Sequence, residues 1–465
     1  MPGFQSFNCR SGKSNPTLYH SDSLESLGLC LTSSVEAHES GALKDNQTRI
    51  QLLQTILSHA MAKKEVIAKH YCEESSLDLV RFEVEFERSL EQISHFIQSL
   101  LHAEPSIDLL SDRRIEKRTI AIGPVAVLGA SNFPLAYSTL GGDVMGALAA
   151  GCPVIVKGHP YHPGTSLLCA EVIHDAVAAL NLPQGVFSHV LDDGFSLAES
   201  LVADPRVKAV GFTGSFEGGM ALFRLTQLRE EPIPFFAEMG SLNPVIIHPS
   251  VSGLEKHVKN LALAVANEAG QYCTKPGLVF CPEEIWDEAF DLFSTFLKGI
   301  KSHPMLHPAI HSNYVGHLAR LKKLANVSFE AETLPDHFGQ KAFLCLEIQE
   351  FVANPTFSEE VFGPFCIWVR YTSEESLQGA FKKLKGQLTT TFLGDEDSLH
   401  PQWRNQLENR CGRLVFNGVP TGVKIVQSMH HGGPFPSTTD PRFSAVGMDS
   451  MKRFQRNIAI QNSLW

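Results

Sequence analysis

Residues 123–129 read GPVAVLG, a short continuous apolar run bounded by glycines. Three similar runs follow it: PVIVKG (153–158), GVFSHVL (185–191) and VKAVGF (207–212). Between the second and third runs, apolar residues recur at the three- and four-residue spacing of a helix, at Leu167, Ala170, Ile173, Val177 and Leu180. Short buried strands that alternate with helices predict a parallel sheet with right-handed crossovers. We therefore predict an α/β domain of the nucleotide-binding type over about 120–240.

The rest of the chain predicts a second α/β segment and a helical region before the first sheet. The second segment begins near NPVIIHP (243–249) and continues to about Pro434, and helical stripes cover about 45–101. Residues 1–45 are polar and weakly patterned, so we expect little structure there. Neither a G-x-G-x-x-G fingerprint nor a Walker A loop is present, so a dinucleotide would be held by other means.

Composition indicates a globular protein and argues against several functional classes. The 465 residues are 43% hydrophobic, which suits a sizeable core and, by length, two or more domains. A net charge of −11 without long charged runs argues against a nucleic-acid partner. The ten cysteines show no C-x-x-C pair, as in reduced cytosolic proteins. The N-terminus lacks a signal pattern, and polar residues and prolines interrupt the most apolar region, Ile120–Val156. We therefore expect a cytoplasmic protein without a membrane segment.

One cysteine has neighbours that suit a reacting thiol better than a core position. Cys273 lies in NEAGQYCTKPG (267–277), just beyond a predicted helix whose apolar face runs from Val258 to Ala269. A thiolate forms near neutral pH in a polar, electropositive or helix-end setting. Most buried cysteines only fill space, but the polar residues on both sides of this one are poor core neighbours. Cys273 is therefore our candidate nucleophile.

Two further polar groups occur at predicted strand ends. Glu238 lies in the largely apolar FFAEMGSLNP (235–244), where a raised pKa would suit a general base. The alternative is a strand-end glutamate that faces water. Asn132 follows the first predicted strand in LGASNFPLAY (128–137), and its amide could donate to a developing oxyanion. A turn-forming asparagine is the commoner role at such a position.

Other strand ends carry groups suited to a cofactor. Lys157 ends the second predicted strand, at the edge where parallel sheets bind ligands, and could reach a ribose or phosphate or else be solvated. The turn GFTGSFEGG (211–219) opens a helix and could bind a pyrophosphate through exposed N–H groups. Glu360 precedes an apolar pair in SEEVFGPF (358–365). Prolines separate the histidines at 303, 307 and 311 and break any helix that would align them, so we predict no metal site.

Taken together, these stretches resemble the aldehyde dehydrogenase superfamily in order and spacing, over about residues 45–465. The matching motifs are ASNFP, VIVKGHP, GFTGS, AEMGSLNP, GQYC and EEVFGP. The resemblance implies an α/β fold with a Rossmann-like cofactor domain, an α/β catalytic domain and a small oligomerisation arm. We place the cofactor domain at 1–239 with 435–450 returning to it, the catalytic domain at 240–434, and the arm at 112–122 and 451–465.

The resemblance also implies a mechanism. Cys273 attacks the aldehyde carbon to give a thiohemiacetal, while the Asn132 amide and the Cys273 backbone N–H stabilise the oxyanion. Hydride passes to the nicotinamide, and Glu238 activates the water that hydrolyses the resulting thioester. The residues that would contact the cofactor are Lys157 and His159 beside the adenosine ribose, Phe212, Gly214 and Ser215 along its path, and Glu360 with Phe362 beside the nicotinamide ribose.

Two features refine the expected substrate and cofactor. KGHPYHPGTS, GRLVFNGVPTGVKI and HHGGPFPSTTDPRFSAVG resemble the α-ketoglutaric semialdehyde (2,5-dioxopentanoate) dehydrogenase branch. A distal carboxylate on the substrate would call for an arginine, and Arg442 is a candidate by position. Many family members place a glutamate three residues after the cofactor lysine, where it repels a 2′-phosphate; here that position is Pro160. We therefore expect NADP or NAD to serve, with NADP tolerated or preferred.

Alternatives to a semialdehyde dehydrogenase stay open. A broad aliphatic or aromatic aldehyde dehydrogenase would act on uncharged aldehydes, and a catalytically inactive binding relative would not turn over at all. Reduction of an acyl phosphate or acyl-CoA on the same fold is disfavoured by Glu238, since that chemistry does not need a water-activating base. By analogy with relatives, we expect a homodimer or homotetramer.

Overall fold

The computed structural model describes residues 3–103, 106–109, 114–329 and 332–462. Parts of the predicted domain and arm ranges lie outside these described residues, namely 1–2, 104–105, 110–113, 330–331 and 463–465. Within the described part of the chain, no helix combines the length and the hydropathy that crossing a bilayer requires.

The helices surround the sheets and supply most of the N-terminal hundred residues. Their bounds are α1 Leu24–Glu39, α2 Asn46–Ala62, α3 Lys64–Ser75, α4 Leu79–Leu101, α5 Gly142–Ala150, α6 Pro163–Ala179, α7 Ser196–Ala203, α8 Phe216–Gln227, α9 Leu254–Ala266, α10 Trp286–Gly299, α11 Pro308–Leu321, α12 Ile348–Ala353, α13 Glu374–Lys383 and α14 Pro401–Glu408.

The strands are short, and those at the centres of the two large sheets are buried. Their bounds are β1 Gly3–Phe4, β2 Phe7–Asn8, β3 Lys13–Ser14, β4 Tyr19–His20, β5 Ser106–Leu109, β6 Arg114–Ala121, β7 Val125–Leu128, β8 Val154–Gly158, β9 Phe187–Leu191, β10 Ala209–Thr213, β11 Phe235–Glu238, β12 Val245–Ile247, β13 Leu278–Pro282, β14 Val327–Phe329, β15 Ala342–Glu347, β16 Phe365–Tyr371, β17 Gln387–Leu393, β18 Cys411–Phe416 and β19 Gln455–Gln461.

The first large sheet is parallel throughout, with its strands in the order β11-β10-β7-β8-β9. Its strands read as continuous apolar runs because helices cover both faces. The four predicted runs of residues 123–212 correspond to β7, β8, β9 and β10, so the α/β prediction is confirmed. Residues at the carboxyl ends of neighbouring strands lie side by side, as Leu128 does with Lys157 and Thr213 with Glu238.

The second large sheet has the order β14-β15-β16-β13-β12-β17-β18 and is parallel except at β14. It begins after β11, close to the predicted boundary between residues 239 and 240. The division into cofactor and catalytic domains stays a prediction. The described parts of the predicted arm pair with each other, since β19 runs antiparallel to β6 from Gln455 opposite Ala121 to Gln461 opposite Ile115.

The expectation of little structure before residue 45 was wrong. Helix α1 fills Leu24–Glu39, begins with a capping box between Ser23 and Ser26, and buries Leu27 and Leu31. These leucines pack in the apolar cluster on the first sheet. The few apolar side chains and the serine cap are enough to stabilise this helix, because the leucines pack against the first sheet.

Candidate active site

The carboxyl edge of the first sheet gathers most of the residues chosen from sequence. Asn132 follows β7, Lys157 lies in β8, Phe212 lies near the end of β10, and Glu238 ends β11. Gly214 donates its N–H to the carbonyl of Glu238 at 3.1 Å, which ties the turn after β10 to the end of β11. This is the edge at which parallel α/β sheets bind ligands.

Cys273 reaches that edge through a sharply reversed turn after α9. Glu268 and Ala269 have left-handed backbones with φ of 49° and 56°, and Gly270 follows with φ 63°. A Cβ at position 270 would lie 2.5 Å from the carbonyl oxygen of Val265, so only glycine fits this close approach. The reversal places the thiol beside the sheet edge.

Two asparagine amides hold the loop that carries the cysteine. Asn132 Nδ2 donates to the carbonyl of Gln271 at 2.9 Å. Asn243 Nδ2 donates to the carbonyls of Cys273 at 2.9 Å and Lys275 at 3.0 Å. The Asn132 amide carries a second hydrogen, and this contact orients it two residues from the thiol. The structure therefore brings the Asn132 amide to the loop that carries Cys273, while the roles of both residues stay predictions.

The thiol, a carboxylate and an imidazole meet at the centre of the site. His431 Nε2 lies 3.1 Å from Glu238 Oε1 and 3.5 Å from Cys273 Sγ. The side chains of His431 and Glu238 are 1% and 2% exposed. One ligand atom from each of the three residues lies within 4.8 Å of the other two.

The electrostatics of this cluster keep the thiol protonated until a base acts. Burial, and then the Glu238 carboxylate, raise the pKa of Cys273 well above its ordinary value. Burial also raises the pKa of Glu238, but His431 offsets this, so the net pKa of Glu238 is lowered. The raised pKa expected for Glu238 was therefore wrong, because the sequence did not reveal its imidazole partner. A carboxylate that stays ionised next to a neutral thiol is placed to accept a proton.

Glu360 lies close to the backbone of Gly240. A Cβ at position 240 would lie 2.0 Å from Glu360 Oε2, so the carboxylate packs directly on that glycine. Burial raises the pKa of Glu360 to about 7, against the charge of Lys275 and the N–H of Ser241. Lys275 Nζ donates to the carbonyls of Val361 and Phe365, which anchors the segment carrying Glu360.

Lys157 and His159 form the far end of the edge. Lys157 Nζ donates to the carbonyl of Asp192 at 2.7 Å, and burial lowers the pKa of Lys157 to about 8. His159 stacks on His162 with ring centroids 5.3 Å apart, and burial lowers the pKa of His159 well below its ordinary value. His159 is thus a neutral group, suited to a hydrogen bond but not to charge pairing.

The start of α8 follows β10, a strand that lies between β8, which carries Lys157, and β11 in the sheet. Ser215 caps this helix by accepting from the N–H of Gly218 at 3.2 Å, and Ser215 itself is exposed. A Cβ at Gly214 would lie 2.7 Å from the Phe212 ring, which leaves bare backbone at the turn. Phe362 is half-buried two residues after Glu360.

This set of groups fits a nicotinamide dinucleotide. The bare turn at Gly214 and the N–H groups at the start of α8 suit a pyrophosphate. Lys157 and Glu360, on either side of that turn, offer a cation and a carboxylate for ribose hydroxyls. The arrangement can therefore hold an extended cofactor whose one end approaches Cys273.

A family model described as "Aldehyde dehydrogenase family" matches residues 23–456 of this chain. This chain belongs to the aldehyde dehydrogenase family. The expectation drawn from the six motifs is confirmed.

Individual relatives of this aldehyde dehydrogenase agree with the match. It is 39% identical to the alpha-ketoglutaric semialdehyde dehydrogenase of Acinetobacter baylyi, over 84% of this chain and 78% of that protein. It is 37% identical to alpha-ketoglutaric semialdehyde dehydrogenase 2 of Azospirillum brasilense, over 89% of this chain and 82% of that protein. Its fold matches glyceraldehyde-3-phosphate dehydrogenase GapN of Methanocaldococcus jannaschii, solved with NADP, with a TM-score of 0.86 at 18% identity over 98% of each chain.

Helix α4 of the aldehyde dehydrogenase braces both halves of the site, which the sequence did not reveal. Arg81 Nη1 donates to the Tyr272 hydroxyl at 3.1 Å, next to the nucleophile. Glu85 Oε1 accepts from the N–H groups of Leu135 and Ala136 at 2.8 and 2.9 Å, just after Asn132. The loop of Asn132 and the loop of Cys273 are therefore held by one helix.

Two arginines lie near the thiol, and neither is the one chosen from sequence. Arg88 Nη2 donates to the Tyr137 hydroxyl at 2.7 Å, and the charge of Arg88 offsets part of the rise in the pKa of Cys273. Burial lowers the pKa of Arg413, and nearby Cys273 and Tyr137 act against this shift; the Nε of Arg413 has no hydrogen-bond partner in the described chain. Arg442 instead pairs with Asp440 and is 74% exposed. Arg442 is therefore a poor candidate for a substrate contact.

His431 was also missed by the sequence reasoning. The segment that carries it runs beside β11, where Met239 donates its N–H to the carbonyl of Ser437 at 2.8 Å. A Cβ at Gly433 would lie 2.1 Å from the carbonyl oxygen of Gln387, so the glycines of HHGG let this segment approach the second sheet closely. The glycine pair was the available signal, since the partners of His431 are far away in the chain.

Proposed function

We propose that this aldehyde dehydrogenase oxidises 2,5-dioxopentanoate (α-ketoglutaric semialdehyde) to 2-oxoglutarate, with NADP or NAD as hydride acceptor. The observation that carries the proposal is the approach of Cys273 and Glu238 to within 4.8 Å of each other, with the Asn132 amide bonded to the carbonyl of Gln271, two residues before the thiol. The two relatives above, at 39% and 37% identity, support the substrate.

The first half of the reaction forms the bond to sulfur. Glu238 accepts the Cys273 proton, directly or through His431, and the thiolate attacks the aldehyde carbon to give a thiohemiacetal. The second hydrogen of the Asn132 amide and the Cys273 N–H donate to the oxyanion. When bound, the oxidised nicotinamide supplies the acceptor for the hydride that leaves this carbon.

The second half of the reaction releases the acid. Glu238 first releases to solvent the proton that it took from Cys273, which is the one proton the overall oxidation sets free. It then removes a proton from the water that attacks the thioester carbonyl, and the same two donors stabilise the second oxyanion. The lowered pKa of Glu238 keeps it ionised for this step at neutral pH. Collapse of the intermediate returns the Cys273 thiol and the carboxylic acid.

Cofactor binding uses the groups along the sheet edge. Lys157 and His159 would contact the adenosine ribose, Ser215 and Gly214 the pyrophosphate, and Glu360 the nicotinamide ribose. Phe212 would line the path, and Phe362 would pack beside Glu360. Pro160 supplies no carboxylate against a 2′-phosphate, and the GapN neighbour was solved with NADP, which together support use of NADP.

Recognition of the substrate's distal carboxylate would fall to Arg88 and Arg413. The charge of Arg88 acts to lower the pKa of Cys273 and of Tyr137, and Cys273 and Tyr137 act to raise the pKa of Arg413, so both guanidinium groups place positive charge near the thiol. The unpartnered Nε of Arg413 leaves a donor for such a ligand. Arginine pairs with carboxylates through two parallel hydrogen bonds, which favours this substrate over neutral aldehydes.

The test is turnover of purified protein, followed by absorbance of the reduced cofactor. It compares 2,5-dioxopentanoate with neutral aliphatic and aromatic aldehydes, with NADP and NAD in parallel. We expect the keto acid to give the highest kcat/KM and Cys273→Ala to abolish turnover. Equal or better turnover of neutral aldehydes would replace the substrate with the broad-specificity alternative. Absence of turnover on every aldehyde would favour an inactive relative.

We also propose a cytoplasmic, homo-oligomeric enzyme, either a dimer or a tetramer. The exposed pairing of β19 with β6 offers an edge to a second copy. Sedimentation of the purified protein at micromolar concentration tests this, and a monomer would contradict it.

A further inference from the structure

Three side chains at the centre of the site have the separations of a metal-binding set. His431 Nε2 lies 3.5 Å from Cys273 Sγ and 3.1 Å from Glu238 Oε1, and all three ligand atoms lie within 4.8 Å of one another. Tetrahedral zinc with ordinary Zn–S and Zn–N bonds separates sulfur from nitrogen by about 3.6 Å. The observed spacing would accept a zinc ion with little movement.

The carboxylate in this set has oxygens that no hydrogen bond occupies. Glu238 is 2% exposed, and within the described residues neither of its oxygens has a hydrogen-bond partner. Its close approach to His431 lacks hydrogen-bond geometry. Both oxygens are therefore free of hydrogen bonds and available to a metal ion.

The chemistry of the three groups selects a thiophilic divalent ion. Thiolate, imidazole and carboxylate are all ligands of zinc, and three protein ligands leave a fourth position for water. Calcium and magnesium prefer all-oxygen sites and would not use the sulfur. The reaction proposed above has no need of such an ion, because Cys273 itself is the nucleophile.

We propose that Cys273, His431 and Glu238 form a reversible inhibitory site for Zn²⁺. Binding replaces the thiol proton with the metal, so one proton is released for each ion bound. The sulfur lone pair and the carboxylate are then engaged by the metal, and neither the attack on the aldehyde nor the activation of water can occur. The inhibition rests on the proposed function, whereas the binding does not.

The binding is tested on the full chain after chelator treatment, with Co²⁺ as a spectroscopic substitute for Zn²⁺. We expect one equivalent of Co²⁺ to give a thiolate charge-transfer band and the visible bands of tetrahedral cobalt, and added Zn²⁺ to displace it. Cys273→Ser should remove the band, and His431→Asn and Glu238→Gln should each weaken binding at least tenfold. Cys345→Ser, which changes an exposed cysteine, is the matched control and should leave both the band and the Co²⁺ affinity unchanged.

A second measurement needs no variant and so does not depend on folding. In the wild-type protein, Zn²⁺ should slow alkylation of Cys273 by iodoacetamide, read by peptide mass spectrometry, and a chelator should restore it. The Zn²⁺ concentration that halves turnover should equal the concentration that gives half of the maximal protection of Cys273.

The outcomes separate the two proposals. Turnover without a Co²⁺ band or protection of Cys273 would overturn the metal site and leave the enzyme function standing. A band and protection without turnover would support the metal site and contradict the function. Binding that Cys345→Ser removes, or that His431→Asn and Glu238→Gln leave unchanged, would overturn the three-residue site.

Discussion

The side-chain amide of Asn243 donates to the backbone carbonyl of Cys273, so a residue between β11 and β12 anchors the loop that carries this cysteine. Asn243 has a left-handed backbone with φ 47°, and its Oδ1 accepts from the Thr389 hydroxyl at 3.0 Å. One buried amide therefore joins the nucleophile loop to the second sheet.

Replacing Asn243 should misplace the thiol. Asn243→Ala leaves the carbonyls of Cys273 and Lys275 and the Thr389 hydroxyl without this partner. We expect a loss of about 2–4 kcal/mol in the free energy of unfolding and roughly a hundredfold fall in kcat. Denaturant unfolding and turnover measure the two effects. Asn409→Ala, at an exposed helix end, is the control, and an equal loss in both variants would contradict the positioning role.

Arg88 should discriminate in favour of a substrate carboxylate. Arg88→Met removes a charged donor, so we expect kcat/KM for 2,5-dioxopentanoate to fall roughly tenfold to a hundredfold. The values for neutral aldehydes should change little by comparison. Steady-state kinetics on both substrate classes measure this, and Arg442→Met is the matched control. An equal fall in kcat/KM for all aldehydes would instead indicate that Arg88 acts by positioning Tyr137.

The charge of Lys157 should make NADP binding depend on pH. Burial lowers the pKa of Lys157 to about 8, so the ammonium is present below that pH and is lost as the pH rises through it. A charged lysine favours the 2′-phosphate, so NADP affinity should fall above pH 8, by up to about tenfold per pH unit. NAD affinity should fall less. Fluorescence titration from pH 7 to 9 measures this, and an equal trend for both cofactors would contradict it.

Gly240 should be required for cofactor binding and not for the thiol. In Gly240→Ala the new Cβ would displace the Glu360 carboxylate, because the two would lie 2.0 Å apart. We expect the KM for the cofactor to rise at least tenfold while iodoacetamide still alkylates Cys273 at the wild-type rate. Gly316→Ala, where a Cβ meets no other atom within 4 Å, is the control. An unchanged KM would remove Glu360 from the proposed cofactor site.

The sequence predicted those parts of the site that depend on local patterns. Cys273, Asn132 and Lys157 were found because each follows or ends a recognisable helix or strand, and the parallel sheet then places such ends at one edge. His431 could not be found this way. Its position depends on a close backbone approach between Gly433 and Gln387, which no single stretch of sequence encodes.

Two other errors have the same physical origin. The pKa of Glu238 was expected to be raised, because burial was visible in the sequence and the imidazole was not. Helix α1 was overlooked because its few leucines form a weak pattern, and the surface of the first sheet that they cover was not yet known. In both cases a contact between distant segments reversed a reasonable local expectation.

Helix α4 contributes no reacting atom to the proposed mechanism, yet its side chains contact the loops of both Asn132 and Cys273. Arg81 and Glu85 lie one turn apart on the same face and make these contacts. A designer who transplanted this catalytic centre into another scaffold would therefore have to carry the helix along with the two loops. Without this helix, the loops of the amide and the thiol would lose the common support that fixes the distance between them.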